Sequence, residues 1–198
     1  MAVFEKSALI GARIRLQRLS DSAAFGGWVR AFDKSNLLLV TDGAPSLGAN
    51  DRFVMTVVGD ELSASFIADF VDTLALGAET VFHFNLISKV DYKPATEEAR
   101  HRVRECVVQL SMGAERSVSG VLHDVSDHGA GVLASESLAA GAVTEILLTI
   151  AGREVRLRAE VRHCSASPSA PGMYRIGLRL LEMGRMEGAL WRGLAEDA

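Results

Sequence analysis

The sequence has little of several features that define common protein classes. Its 198 residues include only two cysteines, four prolines, two tryptophans and two tyrosines. Two cysteines are too few for the disulfide framework of a small secreted domain. No apolar run approaches the roughly 18 residues that a membrane-spanning helix requires, and residues 1–6 lack the basic segment and apolar core of a secretion signal. We therefore expect a cytoplasmic protein without membrane insertion.

Basic residues are fewer than acidic ones, and only four of them are lysines. The chain has 21 Lys and Arg against 25 Asp and Glu, a net charge of −4 at neutral pH. Because nucleic-acid-binding proteins usually present a basic face, this balance argues against nucleic acid as a general partner. All four lysines precede residue 96, whereas the second half has 12 arginines and no lysine. A content of 48% hydrophobic and 23% charged residues is typical of a globular protein of one or two domains.

Alternation of apolar and polar residues dominates the chain and predicts half-buried antiparallel strands. The clearest sets of alternating apolar residues are Ile146, Leu148 and Ile150; Val155, Leu157, Ala159 and Val161; Tyr174, Ile176, Leu178 and Leu180; and Cys106, Val108 and Leu110. Helical periodicity is convincing only from about 182 to 195, where Trp191 lies beside an apolar stripe. The sequence therefore predicts an all-β protein with a short C-terminal α-helix.

The two halves follow one plan. When the second half is moved back by 93 residues, Gly141 and Gly152 fall on Gly48 and Gly59, and the apolar positions of residues 146–150 and 155–161 coincide with those of residues 53–57 and 62–68. The last strand coincides with residues 82–86 at an offset of 92, which one insertion or deletion in the preceding loop explains. Six or seven short strands in about 95 residues favour a small closed barrel, which leaves no exposed sheet edges. We expect one barrel over residues 1–93, a linker over residues 94–104, and a second barrel with the helix over residues 105–198.

Two short motifs open the second half. The first is an Arg-x-x-x-Arg segment, Arg100 to Arg104, with a third arginine at Arg102. The second is Asp-x-Ser-x-x-Gly, formed by Asp124, Ser126 and Gly129, which occurs once in the chain. Two further arginine pairs with a spacing of four, Arg158 with Arg162 and Arg175 with Arg179, lie on predicted strands. We interpret these pairs as solvent-facing side chains.

The two motifs, in this order and with this spacing, resemble the PilZ domain. The resemblance covers residues 97 to about 195 and includes the last strand, Gly-Met-Tyr-Arg-Ile-Gly-Leu-Arg-Leu, at residues 172–180. It implies a six-stranded barrel that is a receptor for bis-(3′-5′)-cyclic dimeric GMP (cyclic di-GMP), a bacterial second messenger. The first half is similar to a PilZ-type barrel without the ligand site, as found before PilZ in flagellar-brake-type receptors. Its residues at the motif positions are Ser7, Gly11, Ala31, Asp33 and Asn36.

The motif residues suit this ligand chemically. An arginine fork matches both phosphate and the O6 and N7 acceptors of guanine, so Arg100 and Arg104 can hold either group. The resemblance implies that the Asp124 carboxylate accepts hydrogen bonds from the guanine N1–H and N2–H₂ donors, with Ser126 adding a hydroxyl. Gly129 allows the flat ligand to approach the backbone. Secondary positions are Ala99, Arg102 and Ala130, and the resemblance implies that the residue at 99 influences whether one ligand or a stacked pair binds.

Other chemistries find little support. The histidines and cysteines lack zinc-ligand spacing, no glycine-rich segment has the lysine of a phosphate loop, and adjacent Ser126, Asp127 and His128 cannot form a triad on a strand. We expect no enzyme activity, no metal and no cofactor. The leading interpretation is a messenger receptor that changes its interdomain arrangement and signals to a protein partner in motility, biofilm or exopolysaccharide control. A ligand-independent interaction module and a messenger-dependent DNA-binding regulator are the alternatives, and a homodimer is compatible with the sequence.

Overall fold

Two compact units make up the protein, residues Met1–Arg100 and His101–Ala198. The computed structural model describes residues 6–49, 51–77, 79–113, 116–167 and 170–196. Each unit is a closed six-stranded antiparallel barrel. The predicted fold class, all-β with two tandem barrels and a short C-terminal helix, is therefore confirmed.

The first unit begins with a 3₁₀ turn at Lys6–Leu9 and continues with seven strands. These are β1 (Arg13–Arg18), β2 (Ala24–Asp33), β3 (Asn36–Thr41), β4 (Arg52–Val58), β5 (Leu62–Leu76), β6 (Glu79–Leu86) and β7 (Asp91–Pro94). The barrel order is β4-β1-β2-β3-β6-β5, and pairing of β4 with β5 closes it. Strand β7 adds to the N-terminal part of β5.

The core of the first barrel consists of the alternating apolar residues that the sequence pattern indicates. Phe53, Met55 and Val57 of β4 are fully buried. The Phe53 ring meets the Phe84 ring edge-to-face, with centroids 5.5 Å apart and planes at 89°, an arrangement that aromatic pairs favour. Inward-facing residues therefore fill this small barrel.

The second unit has six strands and the helix. These are β8 (His101–Ser111), β9 (Ser117–Ser126), β10 (Gly129–Ala134), β11 (Val143–Ile150), β12 (Arg153–Ala166), β13 (Tyr174–Leu180) and α1 (Arg185–Glu196). The closed order is β11-β8-β9-β10-β13-β12. Trp191 of α1 is buried and belongs to the core of this barrel. Within the described residues, no helix has the length and apolar character to span a membrane.

The strand order of the second barrel repeats that of the first, strand for strand, which confirms the predicted duplication. Two glycines 93 residues apart show the same close packing. A Cβ on Gly27 of β2 would lie 2.5 Å from the carbonyl oxygen of Val40. A Cβ on Gly120 of β9 would lie 2.9 Å from the carbonyl oxygen of Leu133, the residue equivalent to Val40. The same close strand approach therefore occurs in both barrels.

The connection between the two barrels differs from the expected linker over residues 94–104. Asp91–Pro94 form the edge strand β7, where a proline at the strand end is tolerated. Strand β8 already begins at His101, because His101 and Arg102 pair with Val125 and Asp124 of β9. Residues 101–104 are thus part of a barrel strand rather than of a linker.

Candidate ligand-binding site

One end of the β9–β10 hairpin carries the Asp-x-Ser-x-x-Gly motif. Asp124 and Ser126 end β9, a two-residue turn follows, and Gly129 begins β10. In the ladder, Gly129 is opposite Ser126 and Gly131 is opposite Asp124. Because side chains alternate along a strand, Asp124 and Ser126 lie on the face opposite to the core residue Val125. The hairpin therefore presents both polar motif residues on the outer side of the barrel.

Asp124 is nevertheless buried, with 2% of its side chain exposed. Its Oδ2 atom lies 3.2 Å from Nδ1 of His123 and 3.4 Å from Nη2 of Arg175, which donates to it. A buried carboxylate is costly unless it is paired and hydrogen-bonded. The arginine and the histidine provide this compensation.

Ser126 is fixed through its backbone. It is 4% exposed, and its carbonyl oxygen accepts a hydrogen bond of 2.8 Å from Nε1 of Trp191. The indole is itself buried, so the bond satisfies a polar group that would otherwise be costly to bury. The C-terminal helix thus holds the end of β9 in place.

The arginine segment enters β8 next to this hairpin end. Arg102 is paired with Asp124, and regular pairing resumes only at Cys106 with Leu122. The residues between them form a bulge, in which Val103 packs partly against the core while Arg104 is exposed. A bulge redirects side chains locally. Of the three arginines, Arg102 is therefore the strand neighbour of Asp124. Arg100, half-buried, is the last residue of the first unit.

Arg104 also lines an open cleft of about 580 Å³ between β8, the end of β11 and α1. The remaining lining residues are mainly small or apolar and include Cys106, Ile150 and Leu190. Burial raises the pKa of the Cys106 thiol. In the part of the chain that the structure describes, no three His, Cys, Asp or Glu side chains are grouped as a metal site.

Arg175 is the site residue that the sequence pattern missed. The strand alternation favours a solvent-facing interpretation for it, as for Arg158, Arg162 and Arg179. That interpretation is wrong for Arg175, which is 28% exposed and contacts Asp124. The other three are exposed, and two of them pair with a carboxylate on the surface, Glu160. The local sequence carries no signal of this contact, because Gly177, two residues along the same strand, has the His163 imidazole beside it rather than open space.

The first barrel lacks a carboxylate at the equivalent position, where Ala31 stands. Asp33 and Asn36 pair across the β2–β3 turn as Ser126 and Gly129 do across the β9–β10 turn. The Asn36 Oδ1 atom lies 3.1 Å from Nε2 of His83, and the Ser7 side chain lies outside the described residues. The local hairpin is therefore retained in the first barrel without the acidic residue of the motif.

Comparison with known proteins gives one family and several structural neighbours. The PilZ domain matches residues 97–194. No curated protein matches the chain. Similar solved structures include MrkH of K. pneumonia, with 14% identity over 94% of this chain and 84% of the other and a TM-score of 0.53. They also include the inhibitor of motility MotI/DgrA of Bacillus subtilis, with 15% identity, coverage of 100% and 98% and a TM-score of 0.49. YcgR from Escherichia coli, in complex with c-di-GMP, has 13% identity, coverage of 94% and 83% and a TM-score of 0.46.

Proposed function

Because residues 97–194 of the chain belong to the PilZ domain family, we propose that the protein is a receptor for cyclic di-GMP. The observation that carries the proposal is the juxtaposition of the two motifs in the second barrel. Arg102 is the ladder partner of Asp124, and Ser126 is the ladder partner of Gly129. Cations, an acidic acceptor and a glycine are thereby gathered at one end of three adjacent strands.

This arrangement suits the parts of the ligand. The exposed guanidinium of Arg104 can hold a phosphate or the O6 and N7 edge of guanine through paired hydrogen bonds. An ionised Asp124 accepts from the guanine N1–H and N2–H₂ groups, and Gly129 keeps the hairpin end free of a side chain. Arg102, which is exposed, flanks these positions and forms a secondary contact, whereas the side chain of Ala130, the other secondary position, is fully buried in the barrel core and faces away from the ligand. Net charge is a poor guide to such a ligand, because the arginines concentrate positive charge locally.

The wider role that we propose is regulatory. Binding changes the arrangement of the two barrels and signals to a protein partner. The first barrel, which lacks the motif, presents a surface for that partner. MrkH, whose fold this chain shares, is described as a c-di-GMP-dependent transcription regulatory factor, and this favours DNA binding as the second candidate function. A messenger-dependent, salt-sensitive shift of DNA in a gel would support that candidate, whereas capture of a protein in the presence of the messenger supports ours.

Isothermal titration of the full chain with cyclic di-GMP tests the ligand directly. Replacing Arg104 or Asp124 with alanine should weaken binding at least tenfold, which is about 1.4 kcal/mol. Arg158→Ala is the matched control, because Arg158 is an exposed strand arginine outside the motifs, and it should bind like the unaltered protein. Circular dichroism verifies that each variant is folded. Absence of heat with the unaltered protein at high ligand concentration would favour the ligand-independent module. Dependence on Arg158 instead of Arg104 would show that the site is misplaced.

A further inference from the structure

We propose that Arg175 and Gly131, which belong to neither motif, position the Asp124 carboxylate for guanine and so determine the base selectivity of the site. The inference rests on the proposed function, since it concerns how this site recognises its ligand. Arg175 comes from β13, two strands away from Asp124 and 51 residues later in the chain. The site therefore extends across the barrel wall beyond the β8–β10 segment that contains the motifs.

Two facing glycines make room for the groups around the contact between Arg175 and Asp124. In the ladders, Asp124 is opposite Gly131, and Gly131 is opposite Gly177. Adjacent strands are about 4.8 Å apart, so β9 and β13 are separated by about 10 Å. Arg175 lies two residues before Gly177 and therefore on the same face of β13. Its long side chain reaches Asp124, and the two glycines leave room for the groups around this contact: the Asp124 carboxylate lies over Gly131 and the His163 imidazole over Gly177.

Gly131 also determines where the carboxylate lies. A Cβ added to Gly131 would be 2.5 Å from Oδ2, 2.7 Å from Cγ and 2.8 Å from Oδ1 of Asp124. All three atoms of the carboxylate group are thus in contact with the open side of the glycine backbone. Gly131 is not in the positive-φ conformation that would itself require glycine. What the position requires is space, and any side chain there would push the carboxylate away.

The positive charge of Arg175 explains why the Asp124 carboxylate remains a hydrogen-bond acceptor. Arg175 is charged at every physiological pH, and its ion pair with Asp124 offsets the desolvation penalty of burying the carboxylate. An ionised carboxylate is an acceptor only, whereas a protonated one would offer guanine a donor. His123 and Arg175 both contact the same oxygen, Oδ2, and together they set the rotation of the group. Arg175 is accordingly a positioning residue that acts through Asp124.

This role has a consequence for ligand choice. Guanine offers both N1–H and N2–H₂ to an acceptor, whereas hypoxanthine has the same O6 and N7 edge but no N2 amine. Loss of the Asp124 contact should therefore weaken the guanine ligand more than its inosine analogue. Loss of an arginine that holds phosphate, O6 or N7 should weaken both ligands equally. The ratio of the dissociation constants for the guanine ligand and its inosine analogue therefore shows whether a residue positions Asp124 or contacts the phosphate directly.

The experiment is titration of the full-length protein with cyclic di-GMP and with its cyclic inosine analogue. Arg175→Ala and Gly131→Ala should each weaken cyclic di-GMP about tenfold and the analogue less, so that the ratio falls. Arg179→Ala is the matched control, since Arg179 is on the same face of β13 but is 55% exposed and pairs with Glu160. It should change neither constant. Arg175→Lys, which keeps the charge, should restore part of the selectivity and remains informative if the alanine variant unfolds.

A double-mutant cycle with Asp124→Asn completes the test. In that background, Arg175→Ala should cause little further change in the ratio, because both changes remove the same contact. Equal weakening of both ligands by Arg175→Ala would overturn the inference in favour of a direct phosphate contact. Unchanged affinities of the folded variant would also overturn it. In both cases the unaltered protein still binds cyclic di-GMP. If the proposed function itself is wrong, the unaltered protein binds neither cyclic di-GMP nor the inosine analogue.

Discussion

Nε1 of Trp191 donates a hydrogen bond of 2.8 Å to the carbonyl oxygen of Ser126, which joins the C-terminal helix to the end of β9. Trp191 is 1% exposed and packs in the core of the second barrel. The same side chain therefore closes one end of the barrel and fixes the backbone of a motif residue. In this protein the helix is part of the support of the candidate site.

Trp191→Phe tests this support. The variant keeps an aromatic ring but leaves the Ser126 carbonyl without its indole donor, which should cost about 1–3 kcal/mol of unfolding free energy. Urea denaturation followed by circular dichroism measures the loss. Arg192→Ala, an exposed neighbour on the helix, is the control and should change stability by less than about 0.5 kcal/mol. Equal stability of Trp191→Phe and the unaltered protein would mean that the hydrogen bond contributes nothing.

Much of the fold could be predicted from the sequence because strand patterns are local. The alternating residues of β4, β5, β11 and β12 are the ones that the structure buries, since a half-buried strand requires one apolar face. The repeat is visible in the sequence because the matched glycines, such as Gly48 and Gly141, coincide together with the apolar alternation of the strands. The structure shows the same strand order in both barrels, because the same pattern of strands in each half forms the same closed sheet.

The parts that were missed depend on contacts between distant segments. Arg175 has the same local pattern as Arg179, and only the ladder of β9, β10 and β13 brings it to Asp124. The start of β8 at His101 likewise depends on its pairing with Val125. Alternation within one strand indicates which face a residue lies on, but it carries no information about which side chain lies opposite.

The equivalent glycines Gly27 and Gly120 provide a test of the duplication. Alanine at either position would collide with the neighbouring strand, with a Cβ only 2.5 Å or 2.9 Å from a backbone oxygen. Backbone in a closed barrel cannot move easily, so we expect each substitution to destabilise its own barrel by about 1–3 kcal/mol. Thermal unfolding measures the effect.

Gly193→Ala is the control for these two variants. A Cβ there has no described atom within 4 Å, and alanine is preferred over glycine inside a helix. The control should therefore stabilise the second barrel by up to about 1 kcal/mol. If Gly27→Ala is neutral while Gly120→Ala is damaging, the two strand approaches are not equivalent.

Cys106 should react slowly with alkylating reagents. Burial raises the pKa of its thiol, and because the thiolate is the nucleophile, a smaller fraction reacts at any given pH. In a Cys164→Ala background, the rate of iodoacetamide modification at pH 8 should fall below that of a free cysteine peptide and rise as pH increases. Urea should bring the rate to that of the peptide. A native rate equal to that of the peptide would contradict the prediction.

The ionisation of Asp51 should make the stability of the first barrel depend on pH. The Gly48 backbone N–H donates to its carboxylate over 3.0 Å and Arg18 donates over 2.8 Å, and these bonds lower the pKa of Asp51. A carboxyl whose pKa is lower in the folded than in the unfolded state stabilises the fold at pH values above its ordinary pKa, and this contribution is lost as pH falls through the folded value. Asp51→Asn should therefore lower the melting temperature at pH 7 and have progressively less effect as the pH is reduced below about 4. Asp33→Asn is the matched control, because that exposed side chain forms no ion pair with the described residues. A constant difference in melting temperature between Asp51→Asn and the unaltered protein from pH 7 to pH 2.5 would show that the ionised carboxylate does not stabilise this barrel.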